Sequence, residues 1–163
     1  MRVYLPATAA DLSAPQIGPR TAYAVTPALA RALPDEDEEA LEASAGLCAA
    51  DASLTLLAAP GAEALADRRI VIAADVGTAQ VAEPEASGDV LPGTVRVKAP
   101  VAWEAVAALL VDESAAEADV RAARTGDEEA LERAAEADLL WYDVSEREPL
   151  AAELACGPDR PGR

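Results

Sequence analysis

Six short hydrophobic runs, at 2–5, 21–25, 69–76, 94–98, 107–111 and 139–142, have the length and the Val, Ile, Leu and Tyr content of β-strands. Nearly all are continuous rather than alternating, the pattern of strands covered on both faces. Helical periodicity fills most of the intervals. The chain therefore reads as an α/β domain, with α+β as the variant, in which a mixed sheet of five to six strands is flanked by helices. The longest helix, predicted over 36–59, puts Leu41, Ala45, Cys48, Ala52 and Leu56 at three- and four-residue spacings, widened by Leu47, Leu54 and Leu57. It is expected to be central.

Polar residues mark where helices begin. Thr26 before Pro27 reads as an N-cap and first helical position, and Ser114 with Glu117, Thr125 with Glu128 and Ser145 with Glu148 match capping boxes. The stretch 77–93, with Pro84, Gly88, Pro92 and Gly93, reads as a long loop between the two halves of one domain spanning 1–154. Residues 155–163 are expected to be a disordered tail. The run Asp37-Glu38-Glu39-Ala40-Leu41-Glu42 recurs at Asp127-Glu128-Glu129-Ala130-Leu131-Glu132, which allows two βαβαβ-like pseudo-repeats in one sheet. The plainer reading is that two helices use the same acidic first turn to complement their dipoles. A ferredoxin-like βαββαβ core with the first and last strands added at the edges also fits the order.

Composition narrows the chemistry. There is no Phe, and there are only 2 Trp and 3 Tyr, so the core is built from Ala, Val and Leu with few large anchors. A net charge of -17 repels phosphate backbones and anionic lipid, which argues against direct nucleic-acid or membrane binding. The two cysteines, Cys48 and Cys156, do not read as a disulfide framework, and neither a signal peptide nor a membrane span is evident, so a cytoplasmic location is expected.

Histidine is absent, as are the CxxC, GxGxxG, phosphate-loop and GxSxG patterns. The remaining constellation is Asp75, Asp112 and Asp143, each closing a predicted strand. If they converge they can hold a divalent cation such as Mg²⁺ or Mn²⁺; otherwise they are turn residues, and no other cofactor is implied. Cys48 is expected in the helix core, and Trp141-Tyr142 as core anchors. Glu128, Glu132 and Glu136 are expected on a solvated face, with Glu129–Arg133 and Glu117–Arg121 as compensating pairs.

The blocks Arg2-Val3-Tyr4-Leu5-Pro6-Ala7-Thr8, Ala22-Tyr23-Ala24-Val25-Thr26-Pro27-Ala28-Leu29, Val71-Ile72-Ala73-Ala74-Asp75-Val76 and Leu139-Leu140-Trp141-Tyr142-Asp143-Val144-Ser145-Glu146 resemble an actinobacterial family of uncharacterised proteins. The resemblance implies a small cytoplasmic protein without an assigned activity. Members often carry a His in the fifth strand and another before the Leu-Leu-Trp-Tyr block, where this chain has Leu110 or its neighbours and Ala137 or Asp138. The expected role is a non-enzymatic binding or protein-interaction module, self-associating or with a protein partner. The alternative is a carboxylate–metal hydrolase or phosphate-handling enzyme using the three aspartates.

Overall fold

The computed structural model describes residues 1–84 and 89–155. The strands are β1 (Arg2–Ala7), β2 (Arg20–Tyr23), β3 (Ile70–Asp75), β4 (Val81–Ala82), β5 (Thr94–Val97), β6 (Val106–Asp112) and β7 (Leu139–Tyr142). The helices are α1 (Ala9–Leu12), α2 (Pro27–Ala32), α3 (Glu38–Ala58), α4 (Glu117–Arg124), α5 (Glu128–Glu136) and α6 (Arg147–Ala155). All seven strands form one sheet in the order β4-β5-β2-β1-β3-β6-β7.

The fold is α/β, but the sheet is antiparallel throughout rather than mixed. Continuous apolar strands arise here because helices cover both faces, a condition that parallel sheets share but do not own. The six predicted strands are present, and the two-residue β4 lies in the stretch expected to be loop. β1 occupies the middle of the sheet, so the arrangement with the first strand at an edge does not form. The halves do not repeat either: β2 and β3 straddle β1, whereas β6 and β7 are direct antiparallel neighbours.

Pro6 is tolerated in this central strand for a local reason. β1 pairs with β2 only at Tyr4↔Tyr23, so by Pro6 the β2 side of the ladder has ended. The Pro6 carbonyl on that side accepts from the Arg20 guanidinium at 2.9 Å, and the missing N–H costs no ladder bond.

One sheet face packs on α2 and α3 through Tyr4, Leu29, Leu41, Ala45, Ala49, Val71 and Ala73. The other, larger cluster joins Val3, Leu5, Ile70, Ile72, Leu109 and Val111 to Leu12, Trp103, Leu150 and Leu154, beneath α1, α6 and the turn 103–105. Helices α4 and α5 close the far end of α3 through Leu54, Leu57, Val120 and Ala134. At 21 residues, with an 18-residue stretch of mean hydropathy 1.3, α3 has the length and composition of a membrane span, which the sequence reading did not anticipate. It serves here as the core helix, packed on the sheet.

The buried face of α3 is rotated from the expected one. It consists of Leu41, Ala45, Gly46, Ala49, Ala50, Ser53, Leu54 and Leu57, while Leu47 and Leu56 are exposed. Small residues bring the helix close to the strands: a Cβ on Gly46 would stand 3.8 Å from the Tyr4 ring. The Ser53 hydroxyl donates to Ala7 O at 2.7 Å and accepts from Ile70 N–H at 3.0 Å, pinning the helix to the Ala7–Ile70 end of the β1–β3 ladder.

Caps differ from expectation in detail. Thr26 accepts from Leu29 N–H as predicted. Ser114 makes no cap, Thr125 ends α4 rather than starting α5, and Asp143 with Glu146, not Ser145 with Glu148, forms the box before α6. Asp37 and Asp127 accept from Ala40 N–H and Ala130 N–H at 2.9 and 3.0 Å, so the repeated hexapeptide is one capping solution used twice. Arg133 donates to Asp119 on α4 at 2.8 Å, not to Glu129. The expected tail lies outside the described residues beyond Ala155, which itself ends α6.

Candidate binding grooves beside the central helix

The three strand-end aspartates do not meet. β6 runs antiparallel to β3 and β7, so Asp112 lies toward the opposite end of the sheet from Asp75 and Asp143, about 20 Å and about 13 Å away along the respective strands. Asp75 and Asp143 close strands two positions apart, on the order of 10 Å. Among the described residues, no group of three or more His, Cys, Asp or Glu is arranged to hold a metal ion.

Each aspartate has a partner of its own. Asp75 receives two hydrogen bonds from Arg2, at 2.7 and 2.9 Å, and that guanidinium holds its carboxyl below the usual range. Asp143 is held low by the Ser145 hydroxyl and backbone N–H. Asp112 is fully buried and bidentate to Arg69 at 2.9 and 2.8 Å, with Arg69 N–H donating to it at 2.8 Å. Arg69 also donates to Ala137 O at 3.1 Å, fastening the approach to β7. Removing one member of such a pair strands a buried charge, whereas the intact pair contributes modestly.

The face beneath α2 and α3 holds two openings, because α3 packs mainly over β1 and covers the flanking strands only in part. Over β6 and β7 lies an apolar groove of about 550 Å³, walled by Ala43, Gly46 and Leu47 of α3 and by Leu110 and Leu139. Glu39, Glu42, Glu136 and Asp138 rim it, and the one cation it contains, Arg69, is already committed to Asp112. Beside the groove, Trp141 pairs directly across from Leu110 and is 62% exposed, and Leu47 on the α3 wall is 55% exposed.

That placement corrects the expectation of Trp141 as a core anchor. β7 is the outermost strand, so the face of its residue 141 receives no cover from the helix. Tyr142, on the other face, is half-buried and packs against the larger core.

Over β2 lies the second groove, of about 760 Å³, lined by Thr21 and Tyr23 of β2 and by Cys48, Asp51, Thr55 and Leu56 of α3. Cys48 is thus half-buried in a groove wall rather than in the core. Burial raises its thiol pKa, and the Asp51 charge raises it further. Burial likewise raises the pKa values of Tyr23 and Asp51, although much of the Asp51 surface remains open to solvent. At the far end, Asp11 and Arg20 form an ion pair at 2.8 Å.

Sequence reasoning overlooked both grooves. The β2-side groove had a readable signal, since Asp51 and Thr55 recur at four-residue spacing inside an otherwise apolar helix, three residues after Cys48. The β7-side groove had none, because it depends on which strand lies outermost.

Fold and site together define an α/β protein with a seven-stranded antiparallel sheet and two open grooves along its central helix. The chain belongs to a family of unknown function, DUF6912, whose profile matches residues 1–151. No curated protein and no solved structure matches it.

Proposed function

We propose that this protein is a non-enzymatic interaction module that receives a basic, partly apolar segment of another protein at β7 and its adjoining groove. The exposure of Trp141 carries the reading. In a chain with two tryptophans and no phenylalanine, leaving an indole 62% open is a large forfeited burial, and indoles at open edges are enriched where partners dock. β7 is an edge strand, and an extended segment added there gains backbone hydrogen bonds while alternate side chains enter the groove. The rim carboxylates and the net charge of -17 select a cationic partner. A second copy of this chain brings the same charge and the same rim, which favours a different protein over self-association.

Photocrosslinking in the native host tests this. With a photoreactive residue replacing Trp141, one discrete adduct is expected, and its crosslinked peptide should carry Lys or Arg beside apolar positions. A control probe at exposed Glu153 should give none. An adduct with another copy of the chain, or none above the control, overturns the proposal.

A further inference from the structure

We propose that the groove over β2 is a separate binding site for a small organic cation, an ammonium or guanidinium group on a short aliphatic stem. The inference is independent of the docking surface at β7, because the two grooves lie on opposite sides of α3. At about 760 Å³ the groove is within the range of small-molecule sites, roughly 300–1,000 Å³.

The polar groups decide the sign of the ligand. Arg20 spends its donors inside the fold: on Gly18 O at 3.0 Å, on Pro6 O at 2.9 Å, and on Asp11 at 3.2 and 2.8 Å. Four of its five N–H donors are thereby engaged and its charge is matched by Asp11, so it offers an anion at most one hydrogen bond and no net charge. Asp51 is different: among the described residues its carboxylate accepts no hydrogen bond and forms no ion pair, and the raised pKa values of its neighbours Tyr23 and Cys48 keep those two groups neutral at physiological pH. The groove therefore holds one carboxylate with no bonded partner, felt only by the distant Arg69 charge, beside an aromatic ring that can face a cation.

The remaining wall decides the shape. Pro6, Ala52, Leu56 and Leu91 present apolar surface suited to a methylene chain, and the Thr21 and Thr55 hydroxyls can accept from a cationic head. An inorganic cation would leave that apolar wall unused. It would also find a single carboxylate where such ions take several oxygen ligands.

Isothermal titration of the full chain with putrescine and with agmatine tests the site, at constant ionic strength set by NaCl so that general screening is matched. Saturable binding is expected with either amine and not with inorganic phosphate. Asp51→Asn should weaken it about tenfold or more, the size of one lost charge-assisted hydrogen bond. Glu153→Gln, exposed on α6 and outside both grooves, should leave it unchanged. Because the Asp51 carboxylate accepts no hydrogen bond among the described residues, its variant should fold, which an unaltered far-ultraviolet spectrum checks. Amide shifts in NMR should centre on Tyr23, Cys48, Asp51 and Thr55. Heat no different from the NaCl blank, equal weakening by both substitutions, or shifts spread over all acidic helices would show non-specific attraction and overturn the site.

Discussion

The two tryptophans occupy opposite situations. Trp103 is 9% exposed, its indole N–H donates to Ala14 O at 2.9 Å, and the Arg147 guanidinium stacks 4.4 Å from its ring centroid while donating to Leu12 O. Trp141 is 62% exposed, and among the described residues its indole N–H has no protein partner. Yet Trp141 stands in one of the most hydrophobic blocks of the chain, and Trp103 in a short 3-10 turn beside charged Glu104. Strand order, not local hydrophobicity, decides which indole is covered. The first fastens one sheet face shut; the second leaves part of the other open.

The largest expected effect follows on the closed side. Trp103→Ala removes the main aromatic anchor beneath α1 and α6, together with its hydrogen bond and its cation contact, and should cost about 3–5 kcal/mol in urea unfolding. A loss under about 1 kcal/mol would mean that face is held by its aliphatic cluster alone. On the helix-covered face the fastener is a hydroxyl. Ser53→Ala leaves Ile70 N–H without its acceptor and Ala7 O without its donor in a buried setting, for an expected cost of about 1–3 kcal/mol.

The contrast explains what the sequence could disclose. Strands announced themselves through composition: all six predicted ones exist, five with buried residues and β7, at the sheet edge, only half-covered. The rotated face of α3 was hidden because nearly every side of that helix is Ala or Leu, so periodicity could not choose among them; the choice fell to small residues that let the helix approach Tyr4. Strand direction, which separated Asp112 from Asp75, and strand order, which exposed Trp141, depend on pairings far apart in the chain, such as Tyr4 with Ala73. No local pattern encodes those. The aspartates were correctly located at strand ends, yet their employment, ion pair, buried bridge or cap, depends on partners as distant as Arg2 and Arg69.

On the open side the expected stability effect is smaller. Trp141→Ser removes no hydrogen bond and little buried area, so the unfolding free energy should change by about 0.5 kcal/mol or less. A destabilisation comparable to that of Trp103→Ala would erase the distinction between the two faces and make Trp141 a structural residue after all.

The smallest effect separates two carboxylates by sign. Burial raises the Asp51 pKa, opposed by the distant Arg69 charge, so folding favours its protonated form. A carboxyl raised on folding contributes stability that is present below the unfolded-state pKa and is lost as the pH rises through the folded-state value. Ionised Asp51 is thus a slight burden at neutral pH, and Asp51→Asn should melt a little higher than the parent near pH 7. That advantage should fade near pH 3, where both side chains are neutral. Asp75, lowered by Arg2, predicts the reverse: its contribution is present above the unfolded-state pKa and lost as the pH falls through the folded-state value, so Asp75→Asn should melt lower near pH 7. Thermal melts of both variants at the two pH values provide the check. If both shift in the same direction at neutral pH, the Asp51 carboxylate in the β2 groove is not the burden described, and the case for a cation there loses its electrostatic basis.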